Sequence, residues 1–152
     1  MKPLIVLLLV FCSSAGLSKI MYDEWNPVPC GNIAMCVMLC FTALGHFKFT
    51  EGMAMMVPTV IPFKKAAVVI TGIVEIVLGL LLLFPAYRYM AGIALIIFLV
   101  MVLPANIGAA FKRVNFEEAN YNGKGPEYLW LRIPMQLFFL AWVFYFTVNI
   151  LP

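Results

Sequence analysis

Charge is scarce in this sequence. Its 152 residues hold 10 Lys and Arg and 7 Asp and Glu, or 11% of the chain, where soluble domains carry roughly 25%. So few charged side chains cannot cover the surface of a water-soluble fold of this length, which excludes an ordinary soluble domain. Histidine is scarcer still, with His46 alone. One imidazole cannot supply a bis-histidine haem, and no Cys/His or carboxylate cluster makes up a metal-ligand set. The cysteines, Cys12, Cys30, Cys36 and Cys40, include no Cys-x-x-Cys spacing; they read as packing thiols rather than redox or zinc ligands. Nucleophile elbows, HExxH and phosphate loops are absent as well. The net charge of +3 comes from cations scattered singly at segment ends, not from a basic stripe, which argues against nucleic acid as a partner.

What is present is apolar: 64% of residues are hydrophobic. Five stretches, about 3–18, 30–47, 66–87, 89–110 and 128–150, are apolar enough to span a membrane, each close to the roughly twenty residues that ~30 Å of hydrocarbon requires of a helix. The first also resembles a secretory signal, but Phe11 before Cys12 is too large for a cleavage box, so it reads as a retained helix with Lys19 snorkelling and Tyr22 anchoring at the interface. Lys2, Lys48, Lys64, Lys65, Lys112, Arg113 and Lys124 fall at the N-terminus or in the second and fourth connections, and only Lys19 and Arg88 fall opposite. The positive-inside rule then places the N-terminus in the cytoplasm and the C-terminus outside the cytoplasmic (inner) membrane.

Between the second and third stretches, Phe49 to Phe63 is apolar and Met-rich, and Pro58 and Pro62 forbid one long helix; the segment is expected to lie along the interface. The Lys64–Lys65 pair marks re-entry at the headgroups. Lys112 to Glu127 is the one polar loop, with a turn at Asn122-Gly123-Lys124-Gly125-Pro126.

Glu75 is the most informative residue. It lies ten positions past Lys65, hence ~15 Å along a helix and near the bilayer centre, where an ionised carboxylate is costly unless paired, protonated or hydrated. Thr71, Gly72 and Gly79 share its helical face and make a stripe suited to close helix packing. His46, Asn106, Arg132 and Gln136 occupy the same half of the membrane on other helices and are expected to converge on it, with Arg132–Glu75 as the preferred ion pair. Pro104 and Pro134 add carbonyls freed from helical bonding. Interhelical hydrogen-bond glue, a ligand pocket and a proton relay are all open readings of this cluster.

Gly45-His46-Phe47, Met56-Val57-Pro58, Ile61-Pro62, Gly72-Ile73-Val74-Glu75 with Gly79, Pro104-Ala105-Asn106-Ile107 and Arg132-Ile133-Pro134-Met135-Gln136 follow one another in that order. Together they resemble the DoxX-like family of small bacterial integral membrane proteins over residues 30–150. The resemblance implies an all-α membrane protein: a DoxX-like four-helix bundle (residues 30–152) preceded by one N-terminal transmembrane helix and its connection (residues 1–29). Because the family takes its name from a small subunit of a thiosulfate:quinone oxidoreductase, it also implies a membrane subunit or accessory partner in quinone-linked redox chemistry. The fold resembles, too, the sterol isomerase and transmembrane-chaperone group, whose bundles enclose lipid-like ligands; Glu75 as the sole carboxylate at depth is too little for isomerase chemistry.

The expected function is therefore an accessory or membrane subunit of a larger complex, with no catalysis of its own. The partners are the bilayer and a second membrane protein or further copies of the chain. The alternative is a stand-alone binder or enzyme for a quinone, sterol-like or isoprenoid lipid. No cofactor is expected beyond a bound quinone or lipid.

Overall fold

A computed structural model describes residues 2–23, 25–123 and 125–149, without the side chains of Tyr22 and Tyr128. Lys124, the Tyr22 anchor and Ile150 at the end of the fifth stretch lie outside what is described. The described residues form α1 (Lys2–Tyr22), α2 (Pro27–Lys48), α3 (Thr50–Met56), α4 (Lys64–Leu81), α5 (Pro85–Phe111) and α6 (Leu129–Val143). A 3-10 turn at Gly125–Tyr128 leads into α6, and a π-helical turn at Phe144–Val148 follows it. The only extended pairing among these residues is the isolated bridge Asn115–Asn120. Four segments are long and apolar enough to cross a membrane: Lys2–Met21, Pro27–Lys48, Pro85–Phe111 and Gly125–Val148. α4, with Lys64, Lys65 and Glu75 in its 18 residues, is not among them.

The break between the third and fourth apolar stretches falls earlier than the sequence reading placed it. α4 ends at Leu81 and α5 begins at Pro85, because proline lacks an N–H and its fixed φ suits a first helical turn. Arg88, taken as the mark of the connection, belongs to α5 and reaches back, its Nε donating to the Leu82 carbonyl at 3.2 Å. It thereby satisfies an orphan acceptor at the C-terminal end of α4.

α2 is the central element, packed against α1 on one side and α4 on the other. Leu7 of α1, Met35, Met38 and Leu39 of α2, Leu95 of α5, and Phe139 and Val143 of α6 make the buried core. Large apolar side chains such as Leu9, Ile70, Met101 and Trp130 face outward, as they do where hydrocarbon is the solvent.

One end of the bundle collects the two longer connections, α2 to α4 through α3 and α5 to α6. The Lys2 ammonium lies 3.2 Å from Glu117 Oε1, joining the N-terminus to the α5–α6 connection, and Lys65 pairs with Glu51, joining α4 to α3. Lys48, Lys112 and Arg113 share that end; Lys19 and Arg88 sit at the other. α3 stops before Pro58 and docks on α4 and α5. Gly52 is required there, since a Cβ would come within 2.1 Å of the Phe116 carbonyl oxygen.

Candidate functional site: a buried carboxylate between two helices

α2 and α4 run antiparallel and touch through small residues. A Cβ on Gly79 would stand 3.4 Å from the Cys36 Cα, and one on Gly72 would stand 2.9 Å from the His46 Cβ. Glu75 lies between these two glycines on the same face, so its carboxylate is driven into the seam and only 7% of the residue is exposed. Both oxygens find partners on α2. Thr42 Oγ1 is 2.8 Å from Glu75 Oε2, and His46 Nε2 is 3.4 Å from Oε1. The Thr42 hydroxyl, with one proton to give, is also 2.9 Å from the Leu39 carbonyl.

The far side of the imidazole is held as firmly. His46 Nδ1 is 3.0 Å from the Val68 carbonyl and 3.1 Å from Thr71 Oγ1, whose own hydroxyl donates to Val68 at 2.8 Å. A carbonyl only accepts, so Nδ1 carries the proton. Nε2 then meets Glu75 in one of two states: an imidazolium donating to a carboxylate, or a neutral ring accepting from a carboxyl. Either way a single proton lies between the two side chains, and the seam can hold it on one or the other.

The expected cluster is divided. His46 and Glu75 meet; Gln136 and Asn106, each 9% exposed, supply none of the hydrogen bonds to that pair among the described residues. Gln136 instead donates from Nε2 to the Leu99 carbonyl at 2.9 Å, tying α6 to α5 beside the turn that Pro104 weakens. Asn106 is buried on α5. The Arg132–Glu75 ion pair is corrected: Thr42 and His46 take up the carboxylate, and Arg132 is itself engaged. α4 packs on α2, α3 and α5, whereas α6 packs on α5, on α2 and on the turns at its own ends.

Two partners escaped the sequence reading. Thr42 is one turn before His46, so the Thr–His spacing at i, i+4 is the signal that both face one helix. Asn32, 1% exposed, donates from Nδ2 to Val28 and Phe146 carbonyls at 2.8 and 3.2 Å, while its Oδ1 has no partner among the described residues. A lone amide in an apolar stretch is the same kind of signal that singled out Glu75. Beside it the Trp142 indole donates to the Gly31 carbonyl at 3.1 Å, and Phe11, Trp142 and Phe146 stack edge to face and tilted, with centroids 4.8–5.7 Å apart.

All four cysteines are free, and among the described residues no three His, Cys, Asp or Glu side chains come together to hold a metal ion. No curated protein and no solved structure matches the chain. A family model described as a domain of unknown function, DUF8561, matches residues 35–147, from within α2 to the π-helical turn, leaving α1 outside. Since that match spans most of the chain and both sides of the α2–α4 seam, the chain belongs to the DUF8561 family.

Proposed function

We propose that this chain is a membrane-embedded subunit of a larger assembly, without catalysis of its own. The observation that carries this reading is the closure of the α2–α4 seam: Gly72 brings its helix so near His46 that an added Cβ would lie 2.9 Å from the histidine Cβ. The helices approach closely on both sides of Glu75, at Gly72 and at Gly79, whereas a ligand site would need an apolar pocket of some hundreds of Å3 there. The polar groups of the seam are used on one another, as in interhelical glue, where each contact is worth about 0.6 kcal/mol.

In this reading α4 is a fifth span. Its lysine pair sits at the headgroup level, and the charge of Glu75 is shared with His46 rather than exposed to lipid. The cation-rich end faces the cytoplasm and the C-terminus lies outside the cytoplasmic membrane. The DoxX-like resemblance supports a quinone-linked oxidoreductase as the assembly.

Native mass spectrometry of the full chain, extracted from its own membrane in mild detergent, tests the proposal. A complex of constant composition with a second membrane protein is expected. The chain alone, above all with an extractable quinone or isoprenoid lipid retained, would overturn it.

A further inference from the structure

The cation-rich end of the bundle holds an open-sided groove of about 730 Å3, lined by Met55, Phe63, Lys64, Lys65, Lys112 and Tyr121. Its lysines come from two helices that end at one level: Lys64 and Lys65 form the first turn of α4, and Lys112 caps the last turn of α5. Glu51 answers Lys65. Lys64 and Lys112 have no ion-pair partner among the described residues. Three lysines against one glutamate leave the groove positive. The first turn of α4, preceded by Phe63 with no side-chain cap, adds unsatisfied N–H groups and the positive end of a helix dipole.

The rest of the lining is apolar. Phe63 is 85% exposed and Val60, three residues earlier, 89% exposed, at the level where the apolar stretches of α4 and α5 stop. Cations beside outward-facing apolar side chains at that depth match an amphiphile, with an anionic head and an acyl chain, better than a soluble anion. We infer that this groove binds the phosphate headgroup of an anionic phospholipid, with Lys64 and Lys112 on the phosphate and Phe63 and Met55 against the glycerol and upper acyl chain. The inference goes beyond the subunit reading and holds whether the chain works alone or in an assembly.

The full chain in neutral detergent is titrated with dioleoyl phosphatidylglycerol and dioleoyl phosphatidylcholine, and bound lipid is read by native mass spectrometry. Phosphatidylglycerol is expected to bind about tenfold tighter. The double variant Lys64→Gln, Lys112→Gln should bring the two lipids within about twofold of each other. Lys48→Gln, which removes a cation from the same end outside the groove, should leave the preference intact, and so should Lys64→Arg with Lys112→Arg. Thermal melts of each variant separate lost binding from lost folding. The inference fails if the parent chain has no headgroup preference, if Lys48→Gln weakens it as much as the double variant, or if inorganic phosphate alone displaces the lipid.

Discussion

His46 Nε2 sits 3.4 Å from Glu75 Oε1 while its Nδ1 stays 3.0 Å from the Val68 carbonyl. A histidine of α2 is thus clamped between a carbonyl and a carboxylate of α4, and the seam depends on both. Removing the carboxylate strands Nε2, while the Thr42 hydroxyl keeps the Leu39 carbonyl as an acceptor; an amide in its place can still donate to the ring and accept from Thr42. Glu75→Gln should therefore lower stability by less than about 1 kcal/mol and Glu75→Leu by about 1–3 kcal/mol, read as thermal melts in detergent. Equal losses would show that the pair carries no hydrogen-bonding role.

The corrected pairing can be measured by double-mutant cycles. His46→Ala with Glu75→Leu should couple by at least about 0.5 kcal/mol, because the two side chains share one interaction. Arg132→Ala with Glu75→Leu should be additive to within about 0.5 kcal/mol. Strong coupling of the second pair would restore the arginine as the partner of Glu75.

Glycine replacements test how closely the helices approach. A Cβ at Gly92 would lie 2.1 Å from Thr147 Oγ1 and one at Gly72 2.9 Å from the His46 Cβ, whereas nothing lies within 4 Å of one at Gly16 or Gly108. Alanine at position 92 or 72 should cost about 1–3 kcal/mol through overpacking. At position 108 it should be neutral or stabilise by up to about 1 kcal/mol through helix propensity.

Topology has a direct measurement. A reporter active only outside the cytoplasm, fused after Pro152, should be active, and the same reporter inserted within 112–123 should be silent. Activity at the second site would invert the orientation.

The helices other than the seven-residue α3 were legible in the sequence because each is a long apolar run, and the α4–α5 turn was misplaced for the same reason. Leu82, Leu83 and Phe84 are as apolar as the helices they join, so hydropathy does not mark the turn; Pro85 does, and Arg88, which looked like a loop charge, serves α4 as a capping donor. At the candidate site, helical spacing was enough to put Gly72, Glu75 and Gly79 on one face. It carried no information on which helix that face meets. A carboxylate and an arginine in the same half of a bundle invite pairing, yet Thr42 and His46 of α2 take up the carboxylate. Asn32 stood out in the sequence only as a lone amide in an apolar stretch; its partners are backbone carbonyls, which no side-chain pattern displays.

The wide turn at Phe144–Val148 makes the half of the bundle opposite the cation-rich end sensitive to chain length rather than to composition. Its i to i+5 bonding, seen where the Asn149 N–H meets the Phe144 carbonyl at 3.0 Å, accommodates one residue more than an α-helical turn would. Deleting a single residue there would let the backbone close as ordinary α-helix, with its ladder complete. The same deletion would draw the Phe146 carbonyl away from Asn32 and swing Thr147 off Gly92. Conservative side-chain exchanges around the turn should thus be absorbed more readily than the loss of one residue, even though the shortened helix is locally the more regular structure.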